Sequence, residues 1–108
     1  MTGITIQPRT EEVTQTRRVP PYHVILLNDD HHSMQFVVEV LCQALGINTE
    51  RAIEYMLTAH HGGRAIVWTG PREVAELKAE QIATFHETRE RDGADLGPLG
   101  CTVEPAPG

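Results

Sequence analysis

The sequence predicts a single α/β domain of the α+β type, with a small three-stranded antiparallel sheet and three helices packed on one face. Short segments rich in β-branched residues alternate with longer segments whose apolar residues recur at helical spacing. The predicted order is β-α-α-β-α-β, which has too few strands for a wound nucleotide-binding sheet. A length of 108 residues suits one domain with one modest core.

The first strand and the first helix have clear boundary signals. YHVILLN, residues 22–28, has the length and β-branched content of a strand that is covered on at least one face. Ser33 is a favourable N-cap, and apolar residues then recur at helical spacing from Phe36 to Leu45. Gly46 is placed to end this helix, because glycine adopts the left-handed conformation of a helix C-terminus without strain.

A second helix, a second strand and a third helix follow in order. Thr49 is predicted to cap the second helix, which ends at HHGG, residues 60–63. RAIVWTG, residues 64–70, has the composition of a strand. Pro71 suits the first position of a third helix, whose apolar positions continue to Phe85.

The chain is predicted to divide into an arm, a core domain and a tail. A loop rich in charge and glycine leads to a short last strand, CTVE at 101–104, which completes a core domain at 22–104. Residues 1–21 are polar and lack aromatic side chains, so we expect a disordered N-terminal arm. Residues 105–108 are expected to be a frayed C-terminal tail.

Composition restricts the classes of function. The net charge of −6, the pI near 5.4 and only 9 scattered lysine and arginine residues argue against a nucleic-acid partner. No apolar run approaches a membrane span and the N-terminus lacks the apolar core of a secretory signal, so a cytoplasmic location is expected. Cys42 and Cys101 are interpreted as reduced, buried thiols. There is no glycine-rich phosphate loop, and no cofactor is expected.

The stretch VILLNDDHHSMQF contains the strongest indication of a functional site. Its apolar run stops at Asn28, and Asp29, Asp30, His31 and His32 follow before the next apolar pattern begins. A turn needs one or two such residues, whereas five indicate a site. A metal site lacks the ligand spacing of a known motif, and acid–base catalysis lacks a recognisable nucleophile, so an enzyme is not expected.

Capture of a cation fits this stretch better than either alternative. Asn28 offers an amide oxygen, Asp29 and Asp30 offer negative charge, and a neutral His60 offers a lone pair. A primary ammonium has three donors and no acceptor, so converging acceptors suit it. Two methionines at helix positions, Met34 and Met56, can line a pocket that accepts several apolar shapes. The pattern describes a receptor for a free N-terminus that bears a large hydrophobic residue.

Three segments resemble the ClpS family of proteolytic adaptor proteins. They are VILLNDDHHSMQFVVEVL, ERAIEYMLTAHHGGRAIV and PREVAELK, and the likeness extends from about residue 20 to residue 104. The resemblance implies an adaptor that binds proteins with N-terminal Leu, Phe, Tyr or Trp, the bulky residues of the bacterial N-degron pathway. It further implies delivery of these proteins to an AAA+ unfoldase, ClpA or ClpC, for degradation by ClpP.

The resemblance also implies roles for individual residues. Asn28, Asp29 and His60 match the positions that hold the α-amino group. Asp30 is predicted separately to support these residues without contacting the substrate, and it is equally well placed to stabilise the N-terminus of the following helix. Met34 and Met56 match the wall of the hydrophobic pocket, with Met34 as a gate against β-branched side chains.

Two further residues and the arm match the positions that meet the unfoldase. Glu73 and Lys78 match positions on the third helix that dock on the N-terminal domain of the unfoldase. The arm at 1–21 matches the extension that the unfoldase engages during handover.

The sequence departs from the family pattern at the pocket rim and in one loop. His32 stands where many relatives have a small hydroxyl residue, and Ser33 stands where proline is common. Ala59 replaces a larger residue, so a roomier pocket is expected, and the loop at 88–98 is longer.

Three further histidines and one alternative function complete the predictions for the site. The side chains of His31, His32 and His61 are predicted to be exposed at the rim. A small metal-binding domain, or a structural docking domain without N-terminal recognition, remains the alternative.

Overall fold

A computed structural model of the protein describes residues 19–107, and most of the predicted N-terminal arm lies outside this range. Within it, the predicted order β-α-α-β-α-β is confirmed, with one small hairpin added before the last strand. The elements are β1 (Tyr22–Leu27), α1 (Met34–Leu45), α2 (Thr49–Gly62), β2 (Arg64–Gly70), α3 (Arg72–Ala83), β3 (Glu87–Thr88), β4 (Asp95–Gly97) and β5 (Cys101–Pro105).

The main sheet has the strand order β2-β1-β5, and both pairs are antiparallel. The central position of β1 places its end between the two edge strands. The backbone N–H of Leu27 donates to the carbonyl oxygen of Gly100 (2.9 Å), and that of Asn28 donates to the carbonyl oxygen of Gly63 (3.0 Å). These hydrogen bonds therefore fix the backbone position of the residues that follow β1.

The core lies between the sheet and the three helices. Alternate side chains of β1, those of Val24 and Leu26, point into it, as expected for a strand with one face on the core. Ala52 and Ala59 of α2 and Ala75 of α3 are buried, and their small side chains let the helices approach the sheet closely. The other members are Val40 and Leu41 of α1, Ala65 and Val67 of β2, Ile82 of α3, and Leu99.

The helix ends confirm two predicted caps and correct two others. Ser33 Oγ accepts from the backbone N–H of Phe36 (3.1 Å), and Gly46 has a left-handed φ of 69°. The N-cap of α2 is Asn48 rather than Thr49, because the amide oxygen of Asn48 accepts from the backbone N–H of Arg51 (2.8 Å). Pro71 precedes α3 as its N-cap and does not occupy the first helical position, since its ψ of 147° is extended.

The C-terminal boundary and the cysteines also differ from expectation. Strand β5 continues to Pro105, and Ala106 is buried, with its backbone N–H donating to Pro21 (2.8 Å). The predicted tail from residue 105 therefore begins too early, because pairing with β1 continues there. Cys42 and Cys101 are free but only half-buried, and burial raises the pKa of the Cys101 thiol to about 11.

The hairpin formed by β3 and β4 occupies the loop at 88–98, for which no strand was predicted. Arg89 pairs with Asp92 through two hydrogen bonds (3.0 and 2.8 Å), and Gly93 turns the chain with a φ of 72°.

No helix within residues 19–107 has the length and apolar character needed to cross a membrane.

Candidate functional site

A pocket of about 220 Å³ opens where β1 ends, between the start of α1 and the end of α2. A dry cavity of about 150 Å³ is large enough to hold benzene, so this pocket is large enough for a single bulky side chain. All the residues predicted for peptide binding line it. They are Asn28, Asp29, Met34, Met56, Ala59 and His60. Asp30, which was predicted only to support them, lines the pocket as well.

Backbone hydrogen bonds bring the two distant polar segments together. Asn28 follows β1, and its backbone N–H donates to Gly63, the residue that ends α2. Gly63 has a φ of 93°, a conformation that glycine adopts without strain, and its own N–H donates to Ala59 (2.8 Å). Asn28 is thereby held beside the last turn of α2, which contains His60.

The carboxylate of Asp29 organises the turn that follows. Its Oδ1 accepts from the backbone N–H groups of His31 (2.8 Å) and His32 (2.9 Å), and its Oδ2 lies 3.0 Å from His32 Nδ1. Burial opposes ionisation of this carboxyl, but the hydrogen bonds from His32 and His31 outweigh it and hold the pKa of Asp29 below its usual value. Asp29 therefore carries a negative charge near neutral pH.

The polar end of the pocket favours a cation. The carboxylates of Asp29 and Asp30 lie there, together with the C-terminal end of α2, where the helix dipole is negative. The side chains of Asn28 and His60 are exposed at this end. An amide oxygen and a neutral imidazole nitrogen can both accept from an ammonium.

The other end of the pocket is apolar and less rigid. Leu26, Ala59 and Leu99 are buried and form its floor. Met34 and Met56 form the wall, and 56% of Met34 is exposed to solvent. Thioether side chains are flexible and polarizable, so this wall can adapt to more than one apolar shape.

The prediction for His32 was wrong, because its side chain is only 5% exposed and does not lie free at the rim. Its Nε2 lies 2.8 Å from the carbonyl oxygen of Gly97 in β4, and its ring stacks on Phe36 with centroids 5.4 Å apart. Nothing in the local sequence indicates a partner 65 residues away. His31 and His61 are exposed, as predicted.

Part of the apolar lining was not predicted from the sequence. Four residues lie in the pocket without having been predicted there as site residues: Leu26, Leu27, Val37 and Leu99. Leu99 comes from the segment just before β5, and no local pattern connects it with the end of β1.

Glu73 and Lys78 lie on α3 and do not line the pocket. Glu73 is exposed in the first turn, and the Nζ of Lys78 is 5.9 Å from the centre of the Trp68 ring. The same helix exposes two apolar side chains, Val74 and Leu77.

In the part of the chain from 19 to 107, no three histidine, cysteine or acidic side chains are grouped as metal ligands would be.

The fold and the pocket define a class of small α+β domain in which an apolar pocket has one polar, cation-favouring end. Residues 17–102 match the model of the family described as ATP-dependent Clp protease adaptor protein ClpS. The chain belongs to this family of Clp protease adaptors.

Named relatives and one solved structure agree with that assignment. The adapter protein ClpS of Roseobacter denitrificans is 42% identical over 90 residues, which cover 83% of this chain and 74% of the relative. The ClpS of Vibrio cholerae is 40% identical over 97 residues, which cover 88% and 86%. The structure of Agrobacterium tumefaciens ClpS2 bound to L-phenylalaninamide is 33% identical, with a TM-score of 0.66 over 82% of this chain and all of that one.

Proposed function

We propose that this protein is an adaptor for proteins with a bulky hydrophobic N-terminal residue, Leu, Phe, Tyr or Trp. It delivers them to an AAA+ Clp unfoldase, ClpA or ClpC, for degradation by ClpP, and it is itself not an enzyme. The observation that carries this proposal is the junction, within one pocket, of a cation-favouring end and an apolar end of single-side-chain size. The ligand of the Agrobacterium relative, L-phenylalaninamide, combines a free amine with one such side chain.

The α-ammonium of the substrate donates to the amide oxygen of Asn28 and to the ring of His60. Asp29 contributes less to direct contact with the ammonium, because its oxygens already accept three hydrogen bonds from His31 and His32. A carboxylate has about four lone-pair positions, so one remains for the ammonium or for a bridging water. Asp30 adds negative charge at the same end.

The charge state of His60 matters for this contact. An imidazolium has two N–H donors and no acceptor, and it repels an ammonium. The contact with the ammonium therefore requires the neutral imidazole of His60.

The first side chain of the substrate enters between Met34 and Met56 and rests on the floor that contains Ala59. Met34 excludes side chains that branch at Cβ, because their second heavy atom would crowd the rim. Since Ala59 is small and buried, the floor leaves room for the larger aromatic side chains.

The expected affinity is moderate. Burial of a Leu or Phe side chain contributes roughly 1.5–3 kcal/mol. Each charge-assisted hydrogen bond contributes about 1.5–3 kcal/mol, from which the cost of association must be subtracted. The result is compatible with micromolar binding, about −8 kcal/mol, which suits a carrier that must release its substrate.

Delivery uses a different surface. Glu73 and Lys78 dock on the N-terminal domain of the unfoldase, and the exposed Val74 and Leu77 give the same helix an apolar contact. Since none of these residues lines the pocket, substrate and unfoldase can be bound together. The arm at 1–21 is engaged during handover, and the complex acts in the cytoplasm.

Four labelled peptides that differ only at their start test the substrate part of this proposal. Fluorescence anisotropy should detect binding of the peptides with free Leu and free Phe, but not of those with N-acetylated Leu or free Ala. Equal binding of acetylated Leu would show that Asn28 and His60 do not recognise an amine. Binding of none of the four would leave a ClpS domain without this activity.

A further inference from the structure

His32 connects the substrate-binding turn to the hairpin through both of its ring nitrogens. Nδ1 lies 3.0 Å from Asp29 Oδ2, and Nε2 lies 2.8 Å from the carbonyl oxygen of Gly97. An ionised carboxylate and a carbonyl can only accept hydrogen bonds, so both ring nitrogens have to donate. A neutral imidazole has one N–H group, and only the imidazolium satisfies both contacts.

The surroundings of His32 fit a held positive charge. Asp29 faces it from the turn, Glu87 of β3 lies close enough to favour its charged form, and the Phe36 ring of α1 covers one face at an interplanar angle of 16°. Asp30 and His31, also in the turn, are exposed. At the hairpin, His86 pairs with Asp95 (3.1 Å) and Arg89 with Asp92 (2.8 Å). The side chains of Glu90 and Arg91, at the hairpin turn, are exposed.

A second contact fastens the hairpin to the same segment. The carboxylate of Glu87 accepts from the backbone N–H of Ser33 (2.9 Å) and from its hydroxyl group (2.7 Å). The segment 28–33 is therefore held on one side by Gly63 of the α2 terminus and on the other side by β3 and β4.

We propose that His32 is a positioning residue for N-terminal recognition, and that as an imidazolium between Asp29 and Gly97 it makes the hairpin at 87–97 part of the substrate site. It holds the turn so that the amide of Asn28 and the remaining lone pair of Asp29 face the ammonium. This inference rests on the proposed function, and it assigns opposite protonation states to two histidines of one pocket. His60 has to be neutral, whereas His32 has to be charged.

The balance of forces on His32 agrees with a charged ring. Burial disfavours the imidazolium, but the hydrogen bonds to Gly97 and Asp29 and the charges of Asp29 and Glu87 outweigh it. The pKa of His32 is consequently raised above the ordinary value of 6.5. Loss of the proton leaves one of the two contacts without a donor and loosens the turn.

Nitrogen-15 NMR of the histidine rings in the unaltered protein tests the charge state directly. At pH 7.5 both ring nitrogens of His32 should show the shifts of protonated nitrogens, assigned by loss of the signals in His32→Ala. A ring with one unprotonated nitrogen at that pH would overturn the proposal, whether or not His32→Ala folds well enough for binding studies.

Binding at pH 7 tests the positioning role, since the α-amino group of a peptide, with a pKa of about 7.7–8.0, is still largely charged there. His32→Ala should weaken binding of the free-Leu peptide about tenfold, the loss expected from one poorly placed charge-assisted hydrogen bond. Binding of free Leu relative to free Phe should stay within about twofold, because the apolar wall is untouched. His31→Ala is the matched control, because its backbone N–H to Asp29 remains and its side chain is exposed.

The outcomes separate this inference from the proposed function. Unaltered protein that fails to prefer free Leu over acetylated Leu would overturn both. Unaltered protein with that preference, together with a folded His32→Ala that binds free Leu as tightly, would overturn the positioning role alone. A tenfold loss in His32→Ala but not in His31→Ala, with a doubly protonated ring, supports it.

Discussion

The two ends of the pocket are built in different ways. The polar end is fixed by backbone contacts, since Asn28 is hydrogen-bonded to Gly63 and the carboxylate of Asp29 closes its own turn. The apolar end has a buried floor but a wall of two thioether side chains, one of them more than half exposed. The comparison indicates that, in the proposed function, a preorganised site would receive the amine and an adaptable one would receive the side chain. From this difference we expect strict selection of a free amine and tolerance of several apolar side chains.

A substitution at the polar end of the pocket should have the largest effect on peptide affinity. His60→Ala removes one acceptor of the ammonium and should weaken binding of a free-Leu peptide by about tenfold to a hundredfold, the range for one charge-assisted hydrogen bond. His61→Ala is the control, since His61 is the exposed neighbour in the same turn and does not line the pocket. Anisotropy titrations of both variants measure the losses, and unchanged affinity in His60→Ala would show that the polar end does not depend on His60.

Opening the apolar end should change selectivity more than affinity. Met34→Ala relieves crowding at the rim and should admit peptides that start with Ile or Val, reducing the preference for Leu over Ile by about fivefold. Because Met34 is largely exposed, the fold should be little affected. Gln35→Ala, a change at the next exposed position outside the pocket lining, should leave the preference unchanged. Continued rejection of both β-branched residues would remove Met34 as the gate.

The rigidity of the polar end should depend on pH. A histidine whose pKa is raised in the folded state stabilises the fold fully below its ordinary value of 6.5, and this stabilisation is lost as the pH rises through the folded-state pKa. The difference in unfolding free energy between the unaltered protein and His32→Ala should therefore be largest near pH 6 and decrease toward pH 9. The decrease should not exceed about 1.4 kcal/mol per unit of raised pKa. Urea unfolding at several pH values measures it, and a constant difference would contradict a charged His32.

Changes on α3 should have the smallest effect on the pocket. Exchange of Glu73 and Lys78 for alanine should leave peptide affinity within about twofold, because distant sites without shared partners act independently. The same variant should lose binding to the isolated N-terminal domain of the unfoldase in a pull-down or titration. Undiminished binding to that domain would move the docking surface elsewhere on the protein.

Local signals in the sequence predicted most of the fold. The Ser33 cap and the Gly46 terminus are confirmed because each depends on a few neighbouring residues. The choice of Asn48 over Thr49 could not be settled in the same way, since both are good caps and only the geometry decides between them. The hairpin at 87–97 escaped prediction because its strands are two and three residues long and contain no apolar alternation.

The lining of the pocket was predicted where the family pattern was informative, and contacts between distant segments were missed. Residues from NDD, the two methionines and His60 were expected to meet, and they line one pocket. His32 was misjudged because its environment is formed by Gly97 and Glu87, which belong to the unpredicted hairpin. A histidine in place of a small hydroxyl residue was the signal that this rim differs, but the sequence did not indicate its partners.

The most direct test of the account is to observe a substrate side chain inside the pocket. Methionine methyl groups labelled with carbon-13 give separate signals for Met34 and Met56 among the 3 methionines of the chain. With a peptide that starts with free Phe, both methyl groups should show nuclear Overhauser effects to the ring protons of that residue, and N-acetylation of the peptide should abolish them. Effects that persist after acetylation, or that are absent from both methyl groups with the free peptide, would contradict a site that recognises the amine and the side chain together.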